Sequence, residues 1–377
     1  MRKSATAIIA IALLLITAGI IMLFSTSAVQ AEATYNDPAF FLKRQVVALI
    51  VGFIAALACM RIPYPYWRTL APFLAVIAIV LLVMALIPGV GVTLKGSSRW
   101  LRLGPFNLQP SEIAKFVLII GMARWLSQSQ RHVGRLREGL FIPLAILGSF
   151  AGLVFISPDF GTTMLMGVVG FAMMYIAGAR LSYLIVAGVS GAAAVAVAIM
   201  HNQVRMRRIL AFLDPEKYAE NEAYQLTQAI YAFVIGGFGG VGLGESLQKR
   251  FYLPEAHTDF IFAILGEEFG LRATLPVLLL FAAFFFLGLF ISRNAPDPFA
   301  KLLAFGITMM ISFQAAINIG VVTGSLPTKG LALPFISYGG TSLVMSLVMV
   351  GVLVNIAFHA SEPASRTALS GSRTVRV

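Results

Sequence analysis

The chain has 377 residues, of which 59% are hydrophobic and only 12% charged, and its mean hydropathy is +0.88. An apolar share this far above the usual half cannot be buried in a water-soluble core, which excludes a soluble domain. The formal net charge of +12 resides largely in Lys and Arg of the short connections between apolar runs, so it marks membrane topology rather than a nucleic-acid surface.

A hydrocarbon layer about 30 Å thick asks for about 20 apolar residues per helix. The runs that meet this demand are 5–24, 45–60, 70–87, 112–126, 140–156, 162–176, 181–200, 260–291, 300–322 and 341–359. They predict an all-α membrane protein of about ten transmembrane helices. Residues 1–360 form one polytopic domain, and 361–377 form a short, polar, basic tail read as disordered. The run 112–126 is short and opens with Glu112 and Lys115, whereas 260–291 is too long to span upright. Both are expected to stand partly in water or in a polar cavity.

Lys and Arg in short loops stay on the cytoplasmic side. With the N-terminus inside, the inner segments hold Arg2, Lys3, Arg61, Arg68, Arg124, Arg131, Arg135, Arg137, Arg180, Arg293, Lys301, Arg366, Arg373 and Arg376, against Glu138, Asp297 and Glu362. Both termini are therefore expected in the cytoplasm. A cleavable signal peptide is the competing reading of the start, since Arg2 and Lys3 precede an apolar stretch and Val29-Gln30-Ala31 could be a cleavage site. The stretch is longer than a signal core, which favours a first span.

Cys59 is the single cysteine and falls within a span, which leaves no disulfide framework. His132, His201, His257 and His359 lack metal-ligand spacing. The external segment 201–258 is too long for a simple connection and is a candidate functional element. It holds Arg205, Arg207 and Arg208, then acidic residues, an amphipathic stretch over 224–235 and the glycine cluster 236–244. That cluster contains a G-x-G-x-x-G, but no strand precedes it, so a backbone turn is expected rather than a dinucleotide site.

Ser111 and Lys115 do not form the S-x-x-K pair of acyl transfer, because their spacing is four and the companion K-T-G is absent. Ser111 reads as a helix cap and Glu112 with Lys115 as an i,i+3 pair. Their cost near the membrane also makes them functional candidates. Asp159, at the start of 162–176, fits a helix cap as well as chemistry. Asp259 places a carboxylate where an apolar run begins, and Glu267 and Glu268 lie inside that run, where they either serve function or pair with Arg272.

Arg207-Arg208-Ile209-Leu210-Ala211-Phe212-Leu213-Asp214-Pro215, the run 253–262 and the run 327–342 together resemble the SEDS family. So do Gly96-Ser97-Ser98-Arg99-Trp100 and Leu108-Gln109-Pro110-Ser111-Glu112, and the likeness spans nearly the whole chain. Pro327-Thr328-Lys329-Gly330 and Pro254-Glu255-Ala256-His257-Thr258-Asp259 look more like its division member than its elongation member. Ala223 departs from the glycine usual before the tyrosine. The resemblance implies a peptidoglycan glycosyltransferase of the bacterial inner membrane that polymerises lipid II at the septum, with a class B penicillin-binding protein and other division-complex membrane proteins as partners. It also implies that Asp259 is the catalytic carboxylate.

Once lipid II is granted as substrate, a sugar hydroxyl must lose a proton as it attacks an anomeric carbon bearing pyrophosphate, a task for one carboxylate base. The pyrophosphate needs cations, for which Arg99, Lys115, Arg205, Arg208 and Lys329 are candidates, with Glu112, Asp159, Glu267 and Glu268 completing the expected binding set. A divalent cation, Mg or Mn, could assist, although no dedicated cage is visible. A lipid-linked precursor flippase, an elongation polymerase and a noncatalytic scaffold are the rival readings. The polar motifs gather on one face, whereas a translocation path calls for polar residues through the full depth.

The charge distribution makes a direct prediction. A cysteine placed by Ala364→Cys should resist a membrane-impermeant thiol reagent in intact cells, and its labelling from outside would reverse the topology.

Overall fold

A computed structural model describes residues 1–94, 97–104 and 106–360, except the side chains of 93, 94, 97, 98, 103, 106, 204 and 205. The tail 361–377, Gly96 and the side chain of Arg205 lie outside the described residues. Among them, 8 helices are long and apolar enough to cross a membrane. They include α1 (Arg2–Tyr35), α2 (Phe40–Arg61) and α3 (Pro65–Leu86). Two more runs from the sequence are also helical: α4 (Pro110–Gln128), which carries Glu112, Lys115 and Arg124, and the shorter apolar α6 (Phe160–Ile176). Between them a π turn runs into α5 (Ile142–Ile156).

A feature not expected from the sequence lies between α3 and α4. Strands β1 (Gly91–Leu94), β2 (Ser97–Leu103) and β3 (Phe106–Leu108) form a 3-stranded antiparallel sheet in the order β1-β2-β3. Gly89 and Gly104, with φ of 86° and 59°, make turns that most side chains resist. The strands are too short to register as an alternating pattern.

After α7 (Leu181–Met200), the long segment is itself structured as α8 (Gln203–Leu213), α9 (Tyr224–Gly236) and a π turn at Gln248–Tyr252. The overlong run 260–291 is two helices, α10 (Ile261–Phe269, 9 residues) and α11 (Leu271–Arg293, 23 residues). Gly270, at φ 67°, makes the break. The glycine cluster packs onto it: Leu271 N donates to Gly237 O at 3.0 Å, Val241 N to Glu267 O at 3.0 Å and Gly242 N to Glu268 O at 2.9 Å. A Cβ on Gly270 would stand 2.6 Å from Gly240 N and Phe238 O. The cluster is therefore a close-packed strap of backbone.

The last spans are α12 (Pro298–Val322) and α13 (Gly340–His359). They form the centre, with 78% and 72% of their apolar windows enclosed, whereas α7 is 6% enclosed. Helix α12 packs on α4, α6, α11 and α13, and α2 lies along α13. Alternation of direction brings the sheet, the starts of α4 and α6, the segment 201–260 and the α12–α13 connection to one end of the bundle.

Glu267 and Glu268 lie in α10, 0% and 1% exposed. Glu267 accepts from Ser246 Oγ, from Leu247 N at 2.9 Å and from Gln248 N. Glu268 accepts from Ser25 Oγ of α1 at 2.6 Å and pairs with Lys249 Nζ at 2.7 Å. The expected partner Arg272 instead stands over the Phe238 ring, 5.3 Å from its centroid. The carboxylates thus moor the strap and α1 to α10. Breaking a buried pair from one side costs about 3 to 5 kcal/mol. Glu268→Gln should therefore lower the Tm of the detergent-solubilised protein clearly, and adding Lys249→Met should recover part of the loss. A Tm unchanged by Glu268→Gln would deny the pair a stabilising role.

Candidate active site

Asp259 ends the turn that enters α10. Thr258 N and Phe260 N both donate to Glu255 O, at 3.1 and 3.2 Å, and Glu255 takes a positive φ of 59°. The N-cap of α10 is Phe260, so Asp259 stands one residue before the helix's own cap position. Its half-buried carboxylate faces the backbone of the α12–α13 connection: a Cβ on Gly330 would lie 2.7 Å from Asp259 Oδ2. Glycine is what allows this approach.

Lys329, the neighbour of Gly330, lays its Nζ 4.3 Å from the centroid of Phe160 and 2.6 Å from Met164 Sδ. Burial among these groups pushes its ammonium down to about 8. Sequence reasoning had supplied no structural partner for this lysine, and α6 provides two. Leu331 completes the contact, since a Cβ on Gly161 would be 3.0 Å from its Cγ.

Asp159 caps α6, one of the two readings expected for it. One oxygen caps α6 by accepting from Thr162 N at 3.2 Å, while the other accepts from Ser111 Oγ at 3.2 Å and Gln109 Nε2 at 3.4 Å. Arg99 Nη1 stands 3.9 Å from Asp159 Oδ1, and Arg99 Nε has no hydrogen-bond partner among the described residues. The guanidinium of β2 is thereby brought beside the start of α6.

Lys115 is 0% exposed. Its Nζ donates to Glu112 Oε1 at 2.8 Å and to Gln314 Oε1 at 2.7 Å, and Gln314 Nε2 donates to Ala332 O at 2.8 Å. Glu112 and Lys115 are thus a strut beneath the Lys329 segment, enclosed rather than presented to a ligand. Arg208 is exposed on α8, where the adjacent Arg207 pairs with Glu222 at 3.5 Å.

Three amide side chains were not anticipated. Gln45 of α2 grips the connection, with Nε2 donating to Ser337 O and Oε1 accepting from Gly339 N, both at 3.2 Å. Gln314 and Asn318 lie one turn apart on α12, and Asn318 Nδ2 reaches Asp259 O at 2.8 Å and Leu331 O at 2.6 Å. Polar amides at i,i+4 in an apolar span were the available signal. Among the described residues no three His, Cys, Asp or Glu side chains gather to hold a metal ion.

The family model described as "Cell cycle protein", which covers FtsW, RodA and SpoVE, matches residues 5–362. A probable peptidoglycan glycosyltransferase FtsW from Trichlorobacter lovleyi is 43% identical over 90% of this chain and 89% of its own. Stage V sporulation protein E from Bacillus subtilis is 41% identical over 93% of this chain and 96% of its own. Among solved structures, one from a peptidoglycan synthase complex that coordinates polymerization and crosslinking superposes with a TM-score of 0.79 at 25% identity, covering 94% of this chain and 98% of that one. The rod shape-determining protein RodA of Thermus thermophilus gives 0.70 at 24% identity, covering 94% and 97%. The chain belongs to the FtsW/RodA/SpoVE family of polytopic membrane proteins.

Proposed function

We propose that this protein is a peptidoglycan glycosyltransferase that polymerises lipid II at the outer face of the inner membrane, in septal wall synthesis, together with a class B penicillin-binding protein that crosslinks the product. The observation that carries the chemistry is the Asp259 carboxylate set against Gly330, the residue that follows Lys329 in the chain. The FtsW relatives supply the reaction class, and the synthase-complex neighbour supports a crosslinking partner.

Asp259 takes the proton of the acceptor 4-hydroxyl as that oxygen bonds to the anomeric carbon of the donor. The bond from this carbon to pyrophosphate breaks, and undecaprenyl pyrophosphate leaves with the bonding electrons. An α-linked donor inverts to a β-1,4 bond. Pyrophosphate needs no protonating acid, and Lys329 and Arg99 are placed to meet its charge. The buried Lys115 ammonium is occupied by Glu112 and Gln314 rather than open to a cargo, which favours a polymerase over a flippase, whose path needs polar groups its cargo can reach.

Asp259→Asn keeps size and hydrogen bonding but cannot accept the proton, so polymer formation from lipid II should fall about 10² to 10⁴-fold. Glycan of normal length and rate from matched amounts of the variant would remove Asp259 from the chemistry.

Lys329→Met should lower kcat/KM for lipid II with the protein still folded. Because the free ammonium titrates at about 8, its charge is present below that pH and lost above it. The wild-type kcat/KM should therefore decline as pH rises through that value. Lys329→Arg should flatten this alkaline limb, and an identical limb in Lys329→Arg would assign it to another group.

A further inference from the structure

We infer that Asn318 is a positioning residue for glycosyl transfer, its side-chain amide clamping the Asp259 turn to the Lys329 segment and so setting the spacing of carboxylate and ammonium. The inference rests on the polymerase reading and deepens it. Neither Asp259 nor Lys329 sits in a regular helix. Each belongs to a connection that needs something rigid to hold it.

Asn318 supplies that hold from α12, a helix enclosed at the bundle centre, and is itself 1% exposed. Its Nδ2 has two hydrogens, and the two acceptors are Asp259 O at 2.8 Å and Leu331 O at 2.6 Å. One planar group therefore fixes the backbone of the proposed base and the backbone two residues beyond Lys329. Asn318 Oδ1 has no hydrogen-bond partner among the described residues. The amide orientation is still determined, because rotating it would set its oxygen against two carbonyl oxygens.

Chemistry restricts what could take its place. Aspartate would press a carboxylate on two carbonyls, and leucine would leave both without their donor. Glutamine keeps both hydrogens on a stem one methylene longer. Gln314, one turn away, holds Ala332 O at 2.8 Å, and Tyr338 N ties to His257 O at 3.0 Å. With those ties in place, loss of Asn318 should loosen the register of the two connections rather than unfold them. Gly330 sets the opposite limit of the same spacing, since a Cβ there would stand 2.7 Å from Asp259 Oδ2.

Misplacement of a reacting group by about 1 Å can cost about 10²-fold in rate. The test uses the full chain in detergent with lipid II, comparing wild type, Asn318→Leu, Asn318→Gln and Gly330→Ala, each with and without Lys329→Met. Asn318→Leu should lower kcat about 10- to 100-fold while KM for lipid II changes less than about two-fold, with partial recovery in Asn318→Gln. Combined with Lys329→Met, the losses should fall short of multiplying, because both act through one spacing.

Gly330→Ala should give the same kcat-selective loss without touching α12, which keeps the test decisive if Asn318→Leu fails to fold. Full kcat in a folded Asn318→Leu or Gly330→Ala, a rise confined to KM, or fully multiplying losses would each overturn the inference. Failure of the polymerase reading would look different: no polymer from wild type, or undiminished polymer from Asp259→Asn.

Discussion

Backbone that leaves the helix at membrane depth must find hydrogen-bond partners inside the protein, since lipid offers none. That constraint governs the working end of this bundle. The break at Gly270 persists because the glycine strap brings its own amides and carbonyls to the exposed ends of α10 and α11. The strap in turn is held by Glu267, whose carboxylate satisfies amides at its far end. The turn that presents Asp259 follows directly, so its position is inherited from a chain of backbone satisfaction that begins at one glycine.

The charged groups near the site divide by whether their capacity is spent. Glu267, Glu268 and Lys115 are enclosed and occupied by protein partners, which suits mooring. Lys329 and Arg99 are only partly enclosed. Lys329 rests on a ring and a thioether, partners weaker than a phosphate oxygen, and Arg99, its side chain 30% exposed, approaches Asp159 only to 3.9 Å. This contrast separates groups that shape the site from groups able to meet an incoming anion, a separation that residue type alone could not make.

Much of the fold was legible because its signal is physical and repeated. Each apolar run long enough for a bilayer is helical, and 260–291, too long to span upright, is two helices, a break at Gly270 that its length alone did not specify. The candidate site was proposed from the sequence at Asp259 and Lys329 through family motifs, and the cap at Asp159 was legible from its place before a helix. The small sheet escaped because short, twisted strands carry little periodicity. Asn318, Gln314 and Gln45 escaped because they hold backbone groups far away in sequence, so that even the i,i+4 spacing of Gln314 and Asn318 does not say what they hold. Glu268 showed the same difficulty, for Arg272 is near in sequence while Lys249 and Ser25 are near in space.

Helix α7 carries one further consequence. With 6% of its apolar window enclosed, it has little of the packing against neighbouring helices that fixes a span's tilt and depth. The match between its apolar length and the surrounding bilayer therefore weighs more on α7 and the attached α8 than on α12, which the helices around it hold in place.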